Sequence, residues 1–270
     1  MADRSLTVLA RGALTSPLKR NIHARAPLPT TRLVERNVRI DPARLAAYAR
    51  ICGFPATGPL PLPYPHILGF PLAMRLMADR NFPLPLLGLV HTRIEVTGHH
   101  ALHPEDTPEL TVYAEELIPH RRGTEVTVVT QARLDGELVW ESRSGYLARH
   151  RTSYDSPRDA GPELPLPAIA EWRLPADLGR RYGAASGDRN PIHLCPLTAR
   201  LFGFPRAIAH GMWTFARCLA EADMSQVTFV RADFKAPVLL PGTVTYAADG
   251  DAFQLRSSER IHLAGRTARP

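Results

Sequence analysis

Apolar residues recur along this chain with two different periods. From residue 41 to 53 the run Asp-Pro-Ala-Arg-Leu-Ala-Ala-Tyr-Ala-Arg-Ile-Cys-Gly has helical spacing, with Asp41 as N-cap and Pro42 at the first helical position. A longer apolar stretch over residues 67–79 follows a Pro-rich loop, and Ile67, Leu68, Phe70, Leu72, Met74 and Leu76 fall on core positions by helical spacing. Alternation then takes over. Residues 89–96, 110–115, 124–132 and 138–142 are rich in β-branched and aromatic side chains and read as strands.

The same order returns further along. Residues 174–187 repeat the first helical pattern, and Tyr182 stands five residues before Gly187 as Tyr48 stands before Gly53. A second apolar run covers 208–223, followed by strand patterns over 227–234, 243–248, 252–257 and 262–267. Tyr48 to Tyr182 is 134 residues and Tyr113 to Tyr246 is 133, so the spacing is nearly constant. Two copies of one α+β unit account for it. In each, a helix with one apolar stripe has to bury that stripe on the inner face of an antiparallel sheet, which predicts a curled sheet around a central helix. Two such sheets joined edge to edge protect strands otherwise left open. Pro157, Pro162, Pro165 and Pro167 break regular structure between the copies. The predicted organisation is a basic leader over 1–35, a first unit over 36–150, a Pro-rich linker over 151–168 and a second unit over 169–270.

Composition narrows the class. With 270 residues and 44% hydrophobic positions, the chain has enough apolar material for a sizeable core. Cys52, Cys195 and Cys218 are odd in number and far apart, which argues against a disulfide framework or thiolate zinc site and fits a reducing compartment. Apolar stretches such as 84–90 fall far short of the ~20 residues a membrane helix needs. The leader has only a short apolar patch at 6–10, so secretion is not expected and a cytoplasmic location is. The net charge of +7 is spread over the chain without basic runs interleaved with aromatics, which disfavours nucleic acid. His99, His100 and His103 sit in a polar loop without cysteine partners, and no metal site is expected there.

The chemistry concentrates in one segment, Ser186-Gly187-Asp188-Arg189-Asn190-Pro191-Ile192-His193, followed by Ile208-Ala-His210-Gly211-Met212. Gly187 and Pro191 break regular structure, so Asp188 and His193 belong to a fixed loop. From there a carboxylate and an imidazole can meet one water as an acid/base pair. Turn chemistry for Asp188 and Asn190, with His193 in the core, is the other account, and the pair taken alone fits it better. No G-x-S-x-G elbow, nucleotide-binding glycine motif, Walker loop or H-E-x-x-H is present.

Taken together, Tyr182 to Ala199 resembles the signature of the R-specific enoyl-thioester hydratases, the hydratase 2 or MaoC-like dehydratases, which have hot-dog folds. Gly203-Phe204-Pro205, His210-Gly211-Met212 and Phe234-Lys235-Ala-Pro237 extend the resemblance over the second half. The first half resembles the degenerate repeat of double hot-dog members: Tyr48 and Gly53 remain, but Pro59, Leu60 and Pro61 stand where the Asp and His belong. The whole chain is closest in pattern to actinobacterial 3-hydroxyacyl-thioester dehydratases.

The resemblance implies an intramolecular pseudo-dimer of two hot-dogs that interconverts (3R)-3-hydroxyacyl and trans-2-enoyl thioesters. Asp188 and His193 would hold the water, and the Gly211 N–H would receive the thioester oxygen. Ser186, Gly187, Asn190, Pro191 and His210 would shape the loop. It implies no metal or redox cofactor; coenzyme A or an acyl carrier protein enters as part of the substrate. Arg206, Arg231 and Lys235 are candidates for carrier phosphates or acidic helices, with salt bridges to groups such as Asp233 as the competing account. One departure is Leu219, where some single-domain members carry a Ser eight residues after the oxyanion glycine. Hydrolysis of the thioester and noncatalytic acyl binding are the alternatives, and a homodimer of double hot-dog chains stays open.

Overall fold

The computed structural model describes residues 27–154, 164–222, 227–258 and 260–269. The first 26 residues of the expected leader and residues 155–163 of the expected linker lie outside them. Among the described residues ten strands form one antiparallel sheet: β1 (Leu33–Glu35), β2 (Val90–Gly98), β3 (Glu109–His120), β4 (Gly123–Leu134), β5 (Glu137–Arg149), β6 (Ala168–Leu174), β7 (Phe229–Phe234), β8 (Gly242–Asp249), β9 (Ala252–Ser257) and β10 (Arg260–Ala268). Their spatial order is β1-β3-β4-β5-β2-β7-β10-β9-β8-β6. Exchanging β1 with β6, β2 with β7 and so on reverses that order, so the repeat seen in the sequence is a two-fold relation in the sheet. The halves join where β2 and β7 pair, Val96 opposite Val230 and Glu95 opposite Arg231.

The strand patterns all form strands, mostly longer than the alternation alone indicates. Two strands are additions. β1 falls inside the expected leader and pairs Leu33 with Val112, so the chain enters the fold before residue 36; β6 opens on Ala168, inside the expected linker, and pairs with β8. Three residues are too few to show a period, and β6 follows directly on a Pro-rich stretch.

Among the described residues five α-helices accompany the sheet: α1 (Pro42–Cys52), α2 (Tyr64–Met77), α3 (Leu178–Ser186), α4 (Pro196–Arg200) and α5 (Gly211–Glu221). The Asp41 carboxylate accepts from the N–H groups of Ala43 and Arg44, and Gly53 ends α1 in the left-handed region at φ 89°. The long helix α2 buries Ile67, Leu72, Met74 and Leu76 and lies against β3 and β4, while α5 buries Trp213, Phe215 and Leu219 and lies against β9. α1 packs on α3 across the two halves, with the Tyr48 ring 5.0 Å from Tyr64 and 6.1 Å from Tyr182. The duplicated tyrosines are therefore the aromatic centre of the inter-half contact.

Candidate active site

α3 ends at Gly187, whose φ of 84° lies in the left-handed region, and its N–H donates to the Gly183 carbonyl. The chain then turns sharply into a stapled loop. The Asp188 N–H donates to Ser186 Oγ at 3.2 Å, the Asn190 N–H to Asp188 Oδ1 at 3.1 Å, and the Ile192 N–H to Asn190 Oδ1 at 3.3 Å. Pro191 opens a 3-10 turn over Pro191–His193, and Thr198 Oγ1 donates to the Pro191 carbonyl at 2.6 Å. Ser186, Gly187, Asn190 and Pro191 thus all build the loop that carries Asp188 and His193. The turn chemistry is present, and the same turn residues hold Asp188 and His193 near one another.

His193 is 7% exposed. Its Nδ1–H donates to the Ile208 carbonyl at 2.8 Å, which leaves Nε2 as the nitrogen with a free lone pair. The His210 ring stacks on it at 3.6 Å between centroids and donates from Nε2 to the main-chain carbonyl of Asp188 at 3.0 Å. His210 therefore fixes where Asp188 sits and which way its backbone faces. The same Nε2 is 3.8 Å from Asp188 Oδ2. Asp188, His193 and His210 each offer one ligand-type atom within 4.8 Å of the others, the one such grouping among the described residues. With His193 Nδ1 and His210 Nε2 committed to carbonyls, His193 Nε2 and the partly exposed Asp188 carboxylate are left without such a commitment.

Gly211 is the first residue of α5, with His210 as N-cap. A helix's first N–H groups have no intrahelical acceptor and lie at the positive end of its dipole. A Cβ on Gly211 would sit 3.1 Å from the Phe234 ring, so the glycine keeps this donor close to the Phe234 wall. From Phe234 the wall continues into the first half: the His91 ring lies 4.7 Å away and stacks on Tyr146, its cross-strand partner, at 4.6 Å. Burial and the nearby Asp188 carboxylate both push the Tyr146 hydroxyl up. The first half thus reaches the site through His91 and Tyr146, a contribution local patterns do not show because strand pairing brings it in.

The other candidates separate. Arg231 lies between Glu95 at 3.2 Å and Asp233 at 3.8 Å, and Lys235 is 3.8 Å from Asp233. These two belong to a charge ladder over the β2–β7 seam, as the salt-bridge account has it. Arg206 is exposed two residues before the Ile208 that holds His193. Leu219 is a core residue at 1% exposure.

Burial holds the imidazoles neutral. It lowers His193 and takes His210 and His91 well below the ordinary value, and it pushes His66 down to about 4. An unfolded chain protonates these rings near pH 6.5 while the fold does not. Stability is therefore fully present above about 6.5 and falls as pH drops toward 4, by an order of 3 kcal/mol for His66 alone. Urea midpoints at pH 7.5, 6 and 5 should decrease in that order, with a shallower slope in His66→Gln; a pH-independent midpoint contradicts this assignment.

Residues 154–260 match the family model described as MaoC like domain. The chain is 39% identical over 231 residues to 3-hydroxyacyl-thioester dehydratase X of Mycobacterium tuberculosis, covering 83% of this chain and 82% of that protein. The crystal structure of HtdX from the same organism superposes with a TM-score of 0.77 at 33% identity, over 89% of this chain and 100% of that one. A MaoC-like dehydratase from Phytophthora capsici shares the fold, with a TM-score of 0.69 at 19% identity over 93% and 98% of the two chains.

Proposed function

Since the chain belongs to the MaoC-like dehydratase family, we propose that it interconverts (3R)-3-hydroxyacyl and trans-2-enoyl thioesters, a hydro-lyase reaction of fatty-acid metabolism, at the site built by Asp188, His193 and Gly211. The observation that carries this reading is the free Nε2 of His193, whose ring lies within 4.8 Å of the Asp188 carboxylate, on a loop braced by six hydrogen bonds and stacked on His210, the N-cap of the helix that begins at Gly211.

In hydration, a water held by the carboxylate and Nε2 adds its oxygen to C3 as its proton passes to the pair. The C2=C3 electrons shift toward the thioester oxygen, where the Gly211 N–H and the dipole of α5 stabilise the developing negative charge. Collapse of that enolate takes a proton from the pair onto C2. The sum is one water added across one double bond, with no change of oxidation state, so the reaction as written calls for no redox cofactor. Dehydration is the reverse. In the first half, α2 begins at Tyr64 behind Pro63, with no Asp–His pair before it, so one site per chain is expected.

We assign the acyl carrier, coenzyme A or a carrier protein, to the exposed Arg206. Among the described residues no helix is long and apolar enough to cross a membrane, and all three cysteines are free, which is consistent with the cytoplasm. Crotonyl-CoA and longer trans-2-enoyl thioesters should lose their conjugated enoyl absorbance on addition of the protein without release of free thiol. Inactivity at every chain length, with both carriers, overturns the reading; thiol release assigns a hydrolase instead.

A further inference from the structure

The turn that leads into Asp188 is held from the other half of the molecule. Arg44, on α1, donates from Nε to the Ala185 carbonyl at 2.8 Å and from Nη2 to the Ser186 carbonyl at 2.5 Å. Ala185 and Ser186 end α3, where carbonyls have no intrahelical donor and the helix dipole is negative. A Cβ on Gly187 would lie 3.0 Å from the same Nη2, so the guanidinium rests directly on the left-handed turn from which Asp188 extends. Among the described residues Arg44 forms no ion pair with a carboxylate. Its donors go to these two carbonyls.

The reciprocal end shows that this is more than packing. At the end of α1 in the first half, the Ile51 carbonyl accepts from the Trp213 indole of α5 at 2.9 Å. Each half therefore caps a helix of the other. At the α1 end the Arg217 guanidinium also lies against the turn, 3.0 Å from a Cβ on Gly53, but it pairs with Glu221 and the Ile51 carbonyl takes a neutral donor. The end that precedes Asp188 instead receives a charged, planar fork hydrogen-bonded to two successive carbonyls. A lysine is a point donor without that fork.

We propose that Arg44 of the dyad-lacking half is a positioning residue for catalysis. It fixes Ala185 and Ser186 so that Asp188, tied also through Ser186 Oγ and His210, stays at its distance from His193. This rests on the hydration reading above, and the experiment separates the two.

In Arg44→Ala, kcat for enoyl hydration falls on the order of 100-fold, the scale of a misplacement of about 1 Å. KM stays within about twofold, and Arg44→Lys recovers part of the loss. In parallel, amide hydrogen exchange over residues 187–193 of Arg44→Ala accelerates while that of β4 and β9 does not. Three outcomes overturn the proposal: unchanged kcat and loop exchange, a KM increase at constant kcat, or faster exchange throughout the molecule. If Arg44→Ala does not fold, Arg44→Lys decides by the same two readouts. An inactive wild type refutes the hydration reading but leaves the exchange comparison to judge the clamp.

Discussion

Asp188→Asn and His193→Gln each lower kcat for enoyl-thioester hydration by about 10²–10⁴-fold, the range for loss of a positioned general acid or base. Asparagine keeps an oxygen that accepts from the Asn190 N–H, so the loop retains its staple and loses only the carboxylate charge and its proton affinity. Glutamine at 193 removes the free imidazole nitrogen that the bond to Ile208 presents to the site. On the proposed mechanism the two groups act on one water, so removing the second after the first should cost far less than the product of the single losses. Circular dichroism and thermal midpoints of both variants should stay near wild type at pH 7.5. Full turnover in either variant removes that residue from the dyad. Gly211 is tested differently, because its backbone N–H survives any substitution except proline.

The same loop shows what could be read from the chain and what could not. Alternation and the tyrosine spacing lead to the strands, the duplication and the pairing of the two sheets, because those rest on local period and on burial of one face. The Ser186 to His193 segment is legible as a rigid turn because Gly187 and Pro191 each restrict the backbone. It becomes legible as a site only through its likeness to a family. What escapes is whatever crosses between halves. Arg44 lies 141 residues from the carbonyl it holds, and His91 lies 143 residues from the Phe234 ring it meets. No local pattern marks such contacts. Charge is ambiguous for the same reason: Arg231 reads as a phosphate ligand until strand pairing places Glu95 opposite it. One signal was available in the sequence and is weak by itself. Gly179 and Gly183 stand four apart inside a helix, where each costs about 1 kcal/mol relative to alanine.

Those two glycines carry the second large prediction. A Cβ at Gly179 would lie 1.9 Å from the His193 carbonyl oxygen and 2.9 Å from its carbon, and one at Gly183 would lie 2.7 Å from the Asp188 carbonyl oxygen. Asp188 and His193 thus both rest their main chains on α3, at the places where that helix has no side chain. Neither clash is with a side chain that can rotate away. To restore ordinary contact in Gly179→Ala, helix and loop must separate by roughly 1 Å or more, and a shift of that size costs about 10² in rate. Alanine's better helix propensity, about 1 kcal/mol, acts in the opposite direction on stability. Gly179→Ala should therefore fold and lose on the order of 100-fold in kcat, and Gly183→Ala should lose less because the approach there is longer. Ala184→Ser, on the exposed side of the same helix, provides the comparison and should turn over as wild type does. Steady-state kinetics on the three variants, with thermal midpoints to establish folding, decide the matter. Wild-type kcat in Gly179→Ala shows that the loop yields without moving the dyad and refutes the packing argument.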